Sequence, residues 1–189
     1  MAARKIQVLA FVGAPAAGKS EAASIAVELC IPVVTMGDEI RKELKERGMP
    51  LNDENAGRVA TELREREGMD AIAKRCIQRI QEIDTGVVLV DGIRGIAEVE
   101  RFKEEFGDDF LLVRIEAPLD VRYERIKSRG RGDDLLSLEE FKRREERENS
   151  WGMDAAMEIA SRVLKNENSL EQFKADIKFF LEHYYHCVS

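Results

Sequence analysis

Residues 13–20 read Gly-Ala-Pro-Ala-Ala-Gly-Lys-Ser, directly after the apolar run Val8-Leu9-Ala10-Phe11-Val12. The spacing is GxxxxGK[ST], and each position has a chemical reason. Gly13, Ala14, Pro15, Ala16, Ala17 and Gly18 are small, so backbone amides can wrap a phosphate at close range. Lys19 carries an ammonium on a stem long enough to reach a terminal phosphate, and the Ser20 hydroxyl is a ligand for Mg²⁺. The apolar run reads as a strand and the residues from Lys19 as a helix with Glu21 in its first turn, so the positive end of the helix meets the same anion. An ordinary turn rich in Ala and Gly is the bland alternative, disfavoured by the full motif in its correct setting. The loop implies ATP and Mg²⁺ as ligands.

A site of this kind needs a carboxylate at the end of a neighbouring strand, holding Mg²⁺ directly or through water. The stretch GVVLVDG, residues 86–92, supplies Asp91, although a strand-terminal Asp also serves as a turn former. Arginines are the third ingredient: Arg41, Arg94, Arg129, Arg131, Arg143, Arg144 and Arg147 fall in or beside expected loops and helix starts. Moving a phosphoryl group between two anions requires guanidinium groups to offset repulsion and to stabilise the equatorial oxygens. The alternative for residues 138–150 is a solvated helix face, supported by the i,i+4 pairs Glu139–Arg143 and Glu140–Arg144. At least one of Arg143, Arg144 and Arg147 reads as catalytic. The Asn/Thr-Lys-x-Asp element by which GTPases read guanine is missing from the chain.

Elements must bring these groups together. Residues 6–12, 32–36, 86–92, 110–117 and 162–166 are apolar or β-branched runs, mostly continuous, as expected of strands covered on both faces. Helical patterns occupy 19–29, 37–47, 53–67, 69–83, 96–106, 120–128, 138–149 and 170–184. Within 69–83, Ile72, Cys76, Ile80 and Ile83 recur at three- and four-residue steps and form one apolar stripe. Ser137 with Glu140, and Ser169 with Gln172, have the spacing of reciprocal helix caps. Strands alternating with helices imply an α/β three-layer sandwich around a five-stranded parallel sheet, with ligands at the carboxyl ends of the strands. One domain over residues 1–189 is expected.

The chain has 189 residues, 44% of them apolar and 35% charged, which indicates a globular fold. Its net charge of -7 disfavours general nucleic acid binding and attraction to anionic membranes. No segment reads as a membrane span or an export signal, and Cys30, Cys76 and Cys187 show no CxxC spacing, so a cytoplasmic protein with reduced thiols is expected. His183, His186 and Cys187 raise a metal site, with an aromatic patch docking the last helix as the alternative.

These motifs resemble the nucleoside monophosphate kinases, and most the archaeal nucleotide kinases related to adenylate, cytidylate and dephospho-CoA kinases, over nearly the whole chain. VVTMGDEIRKEL, residues 33–44, resembles the segment that puts an Arg on the acceptor phosphate, which implies that role for Asp38 and Arg41. VLVDGIRGIAEVERF, residues 88–102, resembles the segment with the second acceptor arginine, here Arg94, and with a base-reading Gln, here Glu98. A carboxylate at that position suits a base edge that shows amino or imino hydrogens, unless Glu98 is a plain surface residue. SRGRGDDLLSLEEFKRRE, residues 128–145, resembles a short lid in which Arg129 or Arg131, and Arg143 or Arg144, close over the transferring phosphate. RVLKNENSLEQF, residues 162–173, resembles the loop under the adenine, with Asn166 near the base. Residues 38–68 then form the acceptor-binding insertion and 128–147 the lid. Met36 and the missing Pro before Arg94 depart from the adenylate kinase pattern.

The resemblance implies transfer of the γ-phosphate of ATP to a nucleotide of AMP or CMP type, by a monomer or homodimer with small-molecule nucleotide substrates. Dephospho-CoA kinase is one alternative. A nucleotide-binding ATPase or switch with a macromolecular partner is another.

Overall fold

The computed structural model describes residues 5–129 and 137–186. Five strands, β1 (Gln7–Val12), β2 (Val33–Thr35), β3 (Val87–Ile93), β4 (Phe110–Glu116) and β5 (Arg162–Lys165), form one sheet in the order β2-β3-β1-β4-β5. Every pairing is parallel, with Ala10 of the central β1 opposite Val90 on one side and Leu112 on the other. The connections are helices: α1 (Lys19–Glu28), α2 (Gly37–Glu46), α3 (Asp53–Glu67), α4 (Ala71–Glu82), α5 (Ile96–Phe106), α6 (Leu119–Arg129), α7 (Leu138–Ser150), α8 (Met153–Glu158) and α9 (Leu170–His186).

Helices cover both faces, and β1 shows why its sequence is continuously apolar. Val8, Ala10 and Val12 point into a core shared with α2, α3, α4, α5 and α8, while Leu9 and Phe11 point into a second core built with α1 and α9. A strand buried on both faces has no polar side to alternate with. The stripe expected in α4 is buried at Ile72, Cys76 and Ile80, and burial pushes the Cys76 thiol far up, which leaves it inert. Gly92 interrupts the register between β1 and β3: Phe11 faces Asp91, Val12 faces Ile93, and the intervening glycine has the left-handed φ of 99°. A bulge there re-aims the strand at its carboxyl end, next to Asp91.

Of the expected helix starts, α4 begins at Ala71 rather than residue 69 and α6 at Leu119 rather than 120, and the others hold. At Ser137 the reciprocal cap is complete: Ser137 Oγ accepts from the Glu140 amide at 3.1 Å and the Glu140 carboxylate accepts from the Ser137 amide at 2.9 Å. At Ser169 only one arm forms, because the Gln172 side-chain amide donates to Asp176 at 2.8 Å. Helix α8 and the 3₁₀ turn at Gly107–Asp109 were not expected: each is too short for a periodic apolar signal. His183 Nδ1 lies 2.8 Å from the Phe179 carbonyl and its ring packs on Phe179, while Cys187 and the side chain of His186 lie outside the described residues. Among the described residues there is no cluster of three or more His, Cys, Asp or Glu able to hold a metal, and no helix long and apolar enough to cross a membrane.

Ile177, fully buried on α9, presses that helix against α1 and the sheet. Ile177→Ala is expected to lower unfolding free energy by about 2–5 kcal/mol, read as a lower urea midpoint with an unchanged slope.

Candidate active site

The phosphate-binding loop joins β1 to α1 and is braced from two sides. From beyond β5, the buried side chain of Asn166 donates to the Ala17 carbonyl at 2.9 Å and accepts from Arg125 of α6 at 2.8 Å. Gly18 passes directly over it with φ of 116°, and a Cβ there would lie 2.4 Å from the Asn166 amide nitrogen, so only glycine fits. On the other side, Arg122 of α6 donates to the Pro15 carbonyl at 3.2 Å and to Glu145 of α7 at 2.6 Å. Glu21 faces Lys174 of α9 at 2.7 Å. Lys19 folds back on the loop, its ammonium donating to the Gly13 carbonyl and, at 3.1 Å, to that of Ala14.

Beside the loop opens a cleft of about 710 Å³, within the usual range for a small-molecule site. Lys19, Ser20, Asp91, Arg125 and Asn166 line it. Burial lowers the Lys19 ammonium to about 8, the charge of Glu148 opposing and that of Arg94 reinforcing the shift. Burial raises the Asp91 carboxyl above the ordinary range, with Lys19, Arg94 and Arg41 pulling it back. Asp91 is 7% exposed and its buried Oδ1 has no hydrogen-bond partner. An orphaned carboxylate oxygen and a serine hydroxyl on one cleft make an oxygen-only donor set. That set fits Mg²⁺, which keeps most of its shell as water and phosphate oxygens.

Next to this cleft lies a smaller cavity of about 80 Å³, walled by Met36, Ile40, Ala60, Ile72 and Trp151. The two share Gly37, Arg41, Gly92, Arg94 and Arg144. The arginines around them are held by carboxylates, two of which, Glu148 and Glu98, are buried. Glu148 of α7, 1% exposed, accepts from Arg94 Nη1 and, at 3.1 Å, from Arg144 Nε. Burial alone would push Glu148 up, but Arg94, Arg144 and Lys19 hold it below the usual carboxylate range, so it stays ionised. Arg147 donates to both oxygens of Asp53 at 2.9 Å, and Arg144 Nε lies 3.5 Å from the same carboxylate. Glu98, fully buried, accepts from Arg64 at 2.6 Å and from the Arg94 backbone amide at 2.8 Å. Arg64 lies over the Trp151 ring, 4.2 Å from its centroid.

The structure thus gathers the loop with Lys19 and Ser20, and Glu21, Asp91, Arg41, Arg94, Arg144 and Asn166, around one double cavity. Four expected residues have a different setting. Asp38 lines neither cavity and holds Arg41, accepting from its Nη2 at 2.5 Å and Nε at 3.0 Å. Glu98 reaches the smaller cavity with both oxygens engaged, because Arg64 packs directly on it. Asn166 is a clasp under the loop rather than an open amide. Arg143 is exposed on α7 and lines neither cavity, since one residue along a helix turns a side chain by about 100°. The side chain of Arg129, the last residue of α6, and the whole of Arg131 lie outside the described residues. Arg64, Arg122, Arg125, Asp53, Glu148 and Trp151 were not anticipated as site residues. Of these only Glu148 left a sequence signal, four residues after Arg144 on one helix face.

Residues 12–142 match the AAA domain family. A UPF0200/UPF0201 protein of Archaeoglobus fulgidus is 58% identical over 179 residues, 94% of this chain, and the chain spans 55% of that relative's length. A UPF0200 protein of Methanosarcina acetivorans is 51% identical over 179 residues, covering 95% of this chain and 96% of that one. Among solved structures, a shikimate kinase from Acinetobacter baumannii in complex with shikimate superposes with a TM-score of 0.57 at 15% identity, over 95% of this chain and 96% of that one. The likeness is one of fold: a parallel five-stranded P-loop kinase-like sandwich.

Two outcomes follow from these charges. Lys19 must be protonated to meet a phosphate, and burial lowers its pKa to about 8. Triphosphate affinity should therefore be level below pH 8 and fall up to about tenfold per unit above it; calorimetric titrations at pH 7, 8 and 9 read this, and level affinity throughout would contradict it. Glu148→Gln strands two guanidinium groups and should cost about 3 kcal/mol or more of stability, seen in the denaturation midpoint and partly restored by sulfate.

Proposed function

This chain belongs to the UPF0200 family, and from that premise we propose that it is an ATP-dependent kinase that passes the γ-phosphate of ATP to the phosphate of a nucleoside monophosphate. The observation that carries this reading is the pair of cavities joined at Arg41, Arg94 and Arg144, with Lys19 and the loop on the larger side. A single nucleotide needs one cleft; transfer between two anions needs two, meeting where positive charge is concentrated.

In this mechanism the loop amides and Lys19 hold the donor phosphates in the large cleft, with Asn166 and Arg125 at its base-binding end. Ser20 and Asp91 would hold Mg²⁺, which would supply neutralisation of phosphate charge. Arg41 and Arg94 receive the acceptor's phosphate, and an oxygen of that phosphate attacks the γ-phosphorus as the bond to the β–γ bridging oxygen breaks. Arg144, which lines both cavities, stabilises the equatorial oxygens. An acceptor phosphate is already anionic, so no general base is required and catalysis is positioning and charge neutralisation. Residues 38–68 act as the acceptor-binding insertion, and its closure excludes water.

One observation favours a second reading, a hydroxyl acceptor such as dephospho-CoA. Asp91 has an unpartnered oxygen and a raised pKa, which suits it to take a proton from an attacking hydroxyl.

The test is transfer from γ-labelled ATP with Mg²⁺ to a series of nucleoside monophosphates and dephospho-CoA. A labelled diphosphate is expected, absent with Lys19→Ala, and Arg94→Ala should lower kcat/KM for the acceptor about 10²–10³-fold. Labelled CoA would support the second reading. ATP consumption that responds only to a macromolecule would refute both.

A further inference from the structure

Within the phosphate-binding loop, Ala16 holds a conformation that its side chain disfavours. Its φ is 60°, in the left-handed region that glycine adopts freely. The Ala17 amide donates to the Ala14 carbonyl at 3.1 Å, so residues 14–17 close a β-turn with Pro15 and Ala16 at its centre. Proline fixes a negative φ at the first central position, and a positive φ at the second makes the turn type II, where glycine is the usual residue. A type I turn would suit Pro-Ala without strain. The two forms differ by a flip of the peptide between Pro15 and Ala16.

The group that holds the flipped form lies behind the loop. Arg122 of α6, 8% exposed, donates from Nη1 to the Pro15 carbonyl at 3.2 Å and to Glu145 of α7 at 2.6 Å, and from Nε to the Ala117 carbonyl at 3.0 Å. Its guanidinium lies over the Phe141 ring, 5.4 Å from the centroid, and Ala16 itself packs against Phe141 and Ile126. Arg122 and Glu145 border a hollow behind the loop, together with Ala14 and Pro15, whereas Ala16 lines the large cleft in front. The Pro15–Ala16 peptide is trans, which sets its carbonyl and its N–H on opposite sides. With the carbonyl turned back to Arg122, the N–H is turned to the cleft. A type I turn would exchange them and set a carbonyl oxygen against the phosphate. Asn166 treats the Ala17–Gly18 peptide in the same way from the other flank, donating to the Ala17 carbonyl at 2.9 Å.

Resting on the reading of this loop as the donor-phosphate site, we propose that Arg122 is a positioning residue for the donor triphosphate. It holds the Pro15–Ala16 peptide in its flipped form and so aims the Ala16 N–H at a phosphate oxygen. Arg122 acts through the loop and not by contact with the phosphate. Helix α7 then fixes both halves of the site, the loop through Glu145 and Arg94 through Glu148.

The experiment is a double-mutant cycle on the full chain, with Arg122→Gln and Ala16→Gly made singly and together and inorganic tripolyphosphate with Mg²⁺ as the calorimetric probe. Glycine accepts a type II turn without a holder, whereas the charge of Arg122 and its part in the fold act alike in both backgrounds. Arg122→Gln should therefore weaken binding about tenfold or more beside Ala16, and only about twofold in the Ala16→Gly background. Equal losses in both backgrounds, or none in either, would overturn the proposal and leave the kinase reading standing. Should Arg122→Gln fail to fold, a ¹H–¹⁵N spectrum of the unaltered chain decides the matter. The Ala16 amide resonance should shift on saturation with tripolyphosphate, and an unmoved resonance would overturn the proposal. An unaltered chain that binds neither tripolyphosphate nor a non-hydrolysable ATP analogue would overturn both readings. The expected coupling without transfer to any acceptor would support the role of Arg122 and refute the kinase reading alone.

Discussion

Positive charge cannot be concentrated in a dry site without something to hold it there, and in this protein the buried carboxylate of Glu148 does so. It binds Arg94 from the end of β3 and Arg144 from its own helix, and it faces Lys19 across the cleft. A carboxylate so buried would ordinarily gain a proton, yet the three cations keep it ionised. One carboxylate faces three cations, so the arrangement stays positive while the guanidinium groups of Arg94 and Arg144 and the Lys19 ammonium are kept near one point. Asp53 holds Arg147 and Glu98 holds Arg64 along the smaller cavity.

The fold supplies the geometry that such a network needs. The loop, Asp91, Arg41 and Arg94 all lie at or just beyond the carboxyl ends of adjacent parallel strands, β1, β2 and β3, where an α/β sheet opens a crevice. The bulge at Gly92 sets the carboxylate of Asp91 against the cleft. Helix α6 braces the loop through Arg122 and Arg125, and the Asn166 clasp ties it to the far edge of the sheet. Preorganisation of this kind lets fixed dipoles and charges act at the moment of transfer without rearrangement.

The strands were legible because burial on both faces writes itself as continuous apolar runs, and the phosphate loop because its function demands small residues at fixed spacing. Asp91, Arg41 and Arg94 were legible as ends of strands or starts of helices. The buried partners were not. Arg64 and Glu98 are 34 residues apart, and Arg147 and Asp53 94 apart, so a pattern within one helix cannot announce them. Within α7, Arg144 also reaches Asp53 of α3 through tertiary packing, a contact that no spacing inside the helix announces. Asn166 lines the larger cleft, but its amide is committed to the Ala17 carbonyl.

The central claim is that two cavities joined at Arg41, Arg94 and Arg144 hold donor and acceptor at once, and a ligand that spans both reads it most directly. A dinucleoside pentaphosphate, with adenosine at one end and the acceptor nucleoside at the other, joins both occupants in one molecule. Calorimetric titration should find it bound about a hundredfold or more tighter than ATP, the gain expected when a second site is engaged without a second association, and one molecule per chain. Binding no tighter than ATP would mean that the smaller cavity is not an acceptor site, and the account of this protein as a kinase of that kind would be wrong.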